Sequence, residues 1–326
     1  MASDPTIPWI RLGEVDITSS LTQPPPPFPP TNSASDNARQ RFAITGNAVC
    51  TSPHPYSILC QSTILRTDQP NAVTGGAGTL ALSSARALLE HGLSGLALFD
   101  LPSALEKGTA QLTALREDFP SAKITPIPCN VTLETDVQAA VQAAITTLGN
   151  IRILCCFAGI VNVVPSTDMS LDAWKRMQDV NVTGSWIVAQ AVGRHMITHQ
   201  SGGKIVFVAS ISGHRVNYPQ PQVAYNVSKA AVLHMKSCLA AEWTRYGIHV
   251  NSISPGYMDT VLNEGDPLVG HRGVWADRNP MRRMGAPQEL TGPLVLLCSD
   301  LGGSYVNGVD IVVDGGGLYQ QVMNNL

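Results

Sequence analysis

From about residue 71 onward the chain alternates short runs that are apolar on both faces with longer runs of helical period. This alternation limits the fold more than any other feature. NAVTGG reads as a short strand end, and LALSSARALLEHG as an alanine- and leucine-rich helix closed by Gly92. GLALFD is a strand, TAQLTALREDF a helix and KITPIPCNV a strand. In ETDVQAAVQAAITTLG the apolar positions Val137, Ala140, Val141, Ala144, Ile145 and Leu148 follow a helical period. IRILCCFAG is again a strand, followed by a helix over 171–199, the strand KIVFVAS, a helix over 224–246, the strand HVNSISPG, a helix over 287–299 and the strand VDIVVDGG. Strands with no polar face have to be covered on both sides, which implies a parallel sheet between helical layers. Right-handed crossovers then give an α/β, doubly wound parallel sheet in three α/β/α layers. The chain contains no repeat and no sign of a second domain, so a single domain is expected.

Apolar residues make up 44% of the 326 and charged residues 14%, against about 25% charged in an average domain. That suits a large core with further burial between subunits. A net charge of −3 gives no electrostatic case for nucleic acid or an anionic membrane. The chain lacks any apolar run of about 18 residues, and MASDPTIPWIRLGEVD has no basic start followed by an apolar core. A cytoplasmic protein that does not engage a membrane is expected. Seven cysteines show no framework spacing, and Cys155 and Cys156 read as buried thiols within a strand. His195 and His199 have helix-face spacing but no third ligand nearby, so no metal is expected. Residues 1–40, with PPPPFPP at 24–30, read as a disordered proline-rich tail that acts as a spacer, and 41–326 as the folded domain.

Three groups of residues carry chemistry. Thr74-Gly75-Gly76-Ala77-Gly78 follows the first strand and opens a helix, where glycines let the backbone approach a pyrophosphate held at the helix N-terminus. Asp100 ends the next strand, where a carboxylate bonds a ribose 2′-hydroxyl and repels a 2′-phosphate. This favours NAD over NADP, with NADP as the alternative; a strand-end cap is the structural reading of the same residue. Tyr225 and Lys229 stand four apart in AYNVSKAAV and so share a helix face. An ammonium beside a phenol is expected to lower the phenol from its usual value of about 10. Ser210, at the end of an apolar strand, is placed to hold a carbonyl or alcohol oxygen against that phenol. Together they make an acid/base site for interconverting an alcohol and a ketone.

From about Arg41 to Tyr319 the chain resembles the single-domain short-chain dehydrogenase/reductase family, whose fold is of Rossmann type. The family's TGxxxGxG turn maps onto 74–81, and its Asn-Asn-Ala-Gly onto Cys156-Phe157-Ala158-Gly159. Its active-site asparagine maps onto Asn181 in DVNVTGSW, its serine onto Ser210, its Tyr-x-x-x-Lys onto Tyr225 and Lys229, and its Pro-Gly element onto Pro255-Gly256 with Thr260 four residues on. SISGHRVNYPQPQ looks most like the family's fungal polyol dehydrogenases and xylulose/sorbose reductases. The resemblance implies an NAD(P)(H)-dependent oxidoreductase of secondary alcohols and ketones, with a polyol, ketose or secondary-metabolite carbonyl as its small-molecule substrate. Tyr225 would be the general acid/base, Lys229 would tune it and bond the nicotinamide ribose, Ser210 would steady the substrate oxygen, and Asn181 would help hold a relay water. Gly75, Gly78, Leu80, Asp100, Asn130, Ala158, Gly159, Gly256, Met258 and Thr260 would hold the cofactor together with Tyr225 and Lys229. A homodimer or homotetramer built on the helices of Asn181 and Tyr225 is implied as well. Residues 261–285 would fold over the substrate as a lid, with His271 and Trp275 either touching substrate or, for Trp275, anchoring the lid.

The chain departs from the family's pattern at several places. Thr79 and Ala81 replace two motif glycines, Asn130 replaces an aspartate, and Cys156 and Phe157 replace two asparagines. Residues at about 50–71, CTSPHPYSILCQSTILRTDQPN, interrupt the approach to the first strand. A translated intron would account for them, since Val49-Cys50 is a dipeptide that the splice-donor sequence GTATGT would encode and Arg66-Thr67-Asp68 can encode a branch-point-like ACTGAC; a surface insertion is the alternative. Pro70 is expected to disturb a central strand. These departures favour the rival reading, a catalytically silent binding or scaffold protein of the same fold or the product of a faulty gene model.

Overall fold

A computed structural model of the chain describes residues 70–217, 220–260 and 269–319, with side chains left out at 269–271. The tail expected over 1–40 and the insertion expected over about 50–71 lie outside the described residues, apart from Pro70 and Asn71.

Seven strands and nine α-helices are described. They run β1 (Pro70–Thr74), α1 (Thr79–Glu90), β2 (Gly95–Asp100), α2 (Pro102–Lys107), α3 (Thr109–Asp118), β3 (Lys123–Pro128), α4 (Glu134–Leu148), β4 (Ile153–Cys156) and α5 (Leu171–Gln178). Then follow α6 (Ser185–Thr198), β5 (Gly203–Val208), α7 (Val223–Trp243), β6 (Ile248–Pro255), α8 (Val269–Asp277), α9 (Thr291–Cys298) and β7 (Asp310–Val313). Every described pairing is parallel, in the order β3-β2-β1-β4-β5-β6-β7. The order reverses between β1 and β4, and in such sheets ligands bind beyond the carboxyl ends of the strands at that point.

The predicted three layers are present, and the strand side chains alternate between two cores. Ala72, Phe99, Leu154 and Phe207 pack with α4, α6 and α7 on one face of the sheet. Val73, Leu98, Ile153 and Val206 pack with α1 and α9 on the other. The helix expected over 171–199 is interrupted: α5 passes into a π-helical turn at Asp179–Gly184 before α6 begins. Apolar periodicity does not reveal one extra residue in a turn, and such turns are frequent at functional sites. The helix expected over 287–299 opens as a 3₁₀ turn, Pro287–Leu290, with the proline at the first position, where its missing N–H costs no ladder bond.

Pro70 is the first residue of β1, a position where a strand tolerates proline, and its carbonyl accepts from Arg152 N at 3.1 Å. The cost falls on the next residue. Asn71 is fully buried between Leu96 and Ile153 in register, and neither Nδ2 nor Oδ1 has a hydrogen-bond partner among the described residues. A buried unpaired polar group costs about 1–3 kcal/mol. Asn71→Val is therefore expected to stabilise the fold by about 2 kcal/mol, read as a higher urea midpoint at unchanged slope. An unchanged or lower midpoint would show that the amide is satisfied.

Candidate active site

The glycine turn sits where β1 and β4 end side by side. Gly75 has φ +65°, and a Cβ on it would lie 2.8 Å from Ala158 N, so only glycine fits both the turn and the close approach. Thr74 fastens the two strand ends, its Oγ1 accepting from Ala158 N at 3.2 Å and its carbonyl from Phe157 N at 3.1 Å. Gly78 is exposed at the start of α1, and no side chain caps that terminus. Helix geometry leaves the first N–H groups there without intrahelical acceptors, at the positive end of the dipole. Leu80, by contrast, packs on the α1-side core.

Asp100 performs the structural job weighed for it. Its Oδ2 accepts from Ala77 N at 3.0 Å and its Oδ1 from Leu101 N at 2.8 Å. Two lone-pair positions of the carboxylate are left for another donor, so the cap and a ribose contact are compatible. Asn130 also shapes its own loop, Oδ1 accepting from Thr132 N at 3.1 Å and from Thr132 Oγ1 at 2.8 Å.

The other four candidates come from three separate elements. Asn181, in the π-helical turn, is buried and takes both backbone groups of Ile160: Oδ1 accepts from its N–H at 2.8 Å, and Nδ2 donates to its carbonyl at 2.9 Å. Nδ2 also donates to Ser228 Oγ at 2.9 Å. The side chain expected to help hold a water thus ties the strand-β4 loop to α7. Ser210 closes the run after β5 and opens a 3₁₀ turn, its Oγ accepting from Ser212 N at 3.1 Å. Tyr225 and Lys229 lie on α7, and the Tyr225 hydroxyl is hydrogen-bonded to Ser210.

The expected effect of lysine on the phenol needs correction. Lys229 Nζ is 5.7 Å from the centre of the Tyr225 ring and donates to Val208 O at 2.8 Å. Burial raises the Tyr225 pKa, and the Ser210 hydrogen bond offsets only part of that rise. Burial also pushes Lys229 down to about 8. Burial thus holds the Tyr225 hydroxyl protonated at neutral pH.

Gly159 lies over these groups. It is exposed, and a Cβ there would come 3.3 Å from Asn181 Oδ1 and 3.5 Å from Lys229 Nζ. The missing side chain leaves a gap beside the reacting groups, and with the uncapped α1 terminus it makes a cradle that fits a dinucleotide. Gly256 packs directly on Asp314, and Met258 buries its side chain in the α9-side core. Thr260 is buried too. Trp275 is buried and stacks on Tyr257 at 4.5 Å and 9°, which makes it an anchor of the segment after residue 268. The His271 side chain and residues 261–268 lie outside the described residues. His195 and His199 approach to 4.1 Å between ring centres, but no group of three metal-ligating side chains is found among the described residues. Nor is any described helix long and apolar enough to cross a membrane.

Sequence reasoning missed Ser212, Asn217 and Ser228, which bond to Ser210 or Asn181 directly or through one neighbour. Only Ser228 carried a local signal, lying three residues after Tyr225 and bonding back to its carbonyl at 2.7 Å.

Residues 75–317 match the protein family described as Enoyl-(Acyl carrier protein) reductase. The chain is 35% identical over 257 residues to a ribulose-forming D-arabinitol 2-dehydrogenase of Candida tropicalis, covering 75% of this chain and 90% of that protein. It is 32% identical to an NADH-dependent L-xylulose reductase of Ambrosiozyma monospora, over 75% of this chain and 93% of that one. Among solved structures, a short-chain type dehydrogenase/reductase from Mycobacterium marinum is similar at a TM-score of 0.70 and 37% identity, covering 78% of this chain and 98% of that one.

Proposed function

We propose a reaction for this chain from one premise: it belongs to the short-chain dehydrogenase/reductase family. It is an oxidoreductase of CH–OH groups, and the reaction is hydride exchange between NAD(H) and a polyol or its ketose. The observation that carries this reading is the meeting of Ser210, Tyr225 and Lys229 beside the gap at Gly159. A nicotinamide dinucleotide would be held by Gly75, Gly78, Leu80, Asp100, Asn130, Ala158, Gly159, Gly256, Met258 and Thr260, with Tyr225 and Lys229 at its reactive end. Met258 has its side chain in the core, so its share in such a contact falls to its backbone. The bound cofactor supplies or accepts the hydride, and the protein supplies orientation and proton transfer.

In reduction, Tyr225 gives its hydroxyl proton to the carbonyl oxygen as the carbon accepts hydride; in oxidation it takes the proton back. Ser210 holds that oxygen beside the phenol. Lys229, buried and cationic, stabilises the tyrosinate once the proton has left. Asn181 keeps the Ile160 backbone and α7 in register around them.

A homodimer or homotetramer belongs to the same reading. Leu171, Trp186, Val223 and Val227 on α5, α6 and α7 are 65%, 37%, 39% and 44% exposed, which suits burial against another subunit. A cytoplasmic setting is part of the proposal.

The test is a fluorescence titration with NADH and NADPH, followed by a screen of pentitols, hexitols and their ketoses with each cofactor. Saturable NADH binding, weaker NADPH binding and turnover of a polyol–ketose pair are expected, because a carboxylate at the end of β2 would bond a ribose 2′-hydroxyl and repel a 2′-phosphate. A large kinetic preference for NADPH would overturn the Asp100 assignment. No nicotinamide binding at millimolar concentration would return the chain to the catalytically silent reading.

A further inference from the structure

We propose that Asn217 and Ser212 form a hydrogen-bond donor relay ending on Ser210, which turns the Ser210 hydroxyl onto the substrate oxygen. Both are positioning residues, and the inference rests on the role given to Ser210 above.

The row runs through the loop between β5 and α7. Asn217 Nδ2 donates to Ser212 Oγ at 2.7 Å and to Gln222 Oε1 at 3.4 Å. Ser212 Oγ and Ser210 Oγ are 3.1 Å apart, and Ser212 N donates to Ser210 Oγ at 3.1 Å. Ser210, Ser212 and Gln222 are all buried, so bulk water does not compete for these bonds.

Counting donors gives the row a direction. Each serine hydroxyl has one hydrogen and two lone pairs. Before substrate enters, Ser210 Oγ accepts from Ser212 N, and its hydrogen goes to Ser212 Oγ. Nothing is then left to polarise a carbonyl. One lone pair of Ser210 is left for another donor when a substrate oxygen arrives. Ser212 fills it by turning its own hydrogen onto Ser210, and the Ser210 hydrogen swings to the substrate. Ser212 can give its hydrogen away in that direction because Asn217 feeds it from behind with a nitrogen that only donates. No covalent bond is made or broken in this step; two hydroxyls rotate, and the Ser210–Ser212 hydrogen bond is kept with its direction reversed. Donors in a row strengthen one another, most of all in a buried site.

The experiment compares Ser212→Ala, Asn217→Ala, Asn217→Asp, the double Ser212→Ala/Asn217→Ala and Ser210→Ala, using NADH and the ketose that the wild-type protein reduces fastest. Asn217→Asp keeps the shape but replaces the donor with an acceptor, which would pull the Ser212 hydrogen away from Ser210. We expect kcat to fall about tenfold in each single variant of Ser212 and Asn217, with Asn217→Asp no better than Asn217→Ala, and with the cofactor dissociation constant and melting temperature unchanged. The double variant should lose no more than either single, because the two act as one unit. Wild-type kcat in Asn217→Asp, or losses that multiply in the double variant, would overturn the relay while Ser210→Ala remains impaired. Full turnover in Ser210→Ala would overturn the reading of the site and the relay with it.

Discussion

Tyr225→Phe is expected to lower kcat by about 10³-fold while leaving the NADH dissociation constant and the melting curve nearly unchanged. The substitution removes one oxygen atom, and that atom is the proposed proton donor. The ring, its place on α7 and the Lys229 bond to Val208 O remain. The pH dependence has a definite sign. Burial raises the Tyr225 pKa, so the hydroxyl is protonated across the neutral range, the form that reduction consumes. Oxidation needs the tyrosinate, which becomes more populated as pH rises. Reduction should therefore run well at neutral pH, and oxidation should climb toward alkaline pH. Stopped-flow and steady-state rates in both directions check this, and full activity in Tyr225→Phe would refute the mechanism.

The parts of this site that lie close together in sequence were legible there, and the parts assembled across the fold were not. Tyr225 and Lys229 share a helix face, so their spacing alone brought them together. The conclusion that the lysine lowers the phenol did not follow, because spacing says nothing about burial, and burial decides the direction for both groups. Asn181 was found by motif, yet its bonds to Ile160 and Ser228 depend on a π-helical turn that no periodicity announces. Ser212 and Asn217 lie in a loop, where five residues of separation fix no distance; only the folded chain places them 2.7 Å apart. Asp100 shows the reverse case. In sequence a strand-end cap and a ribose contact are alternatives, but a carboxylate has enough lone pairs for both. Sequence leaves Trp275 open between substrate contact and anchor, and its stacking on Tyr257 supports the anchor.

Gly159→Val offers the sharpest separation of binding from folding. Gly159 does not have a positive φ, so its backbone accepts an L side chain without strain. It is also exposed, so no core has to yield. A Cβ would stand 3.3 Å from Asn181 Oδ1 and 3.5 Å from Lys229 Nζ, and two further methyl groups would fill the gap that the cofactor is proposed to occupy. Overpacking of about 1–3 kcal/mol corresponds to a loss of about 10- to 100-fold in affinity. Gly75 is unsuitable for this test, because a Cβ there meets the Ala158 backbone at 2.8 Å and the φ of +65° adds strain, so failure to bind and failure to fold would be confounded. The expected result for Gly159→Val is an unchanged melting temperature with NADH binding weakened by at least tenfold, measured by calorimetric titration. Wild-type affinity would show that the nicotinamide end does not pass over Gly159, and would move the proposed cofactor path away from the β4 loop while leaving Ser210, Tyr225 and Lys229 to be explained in another way.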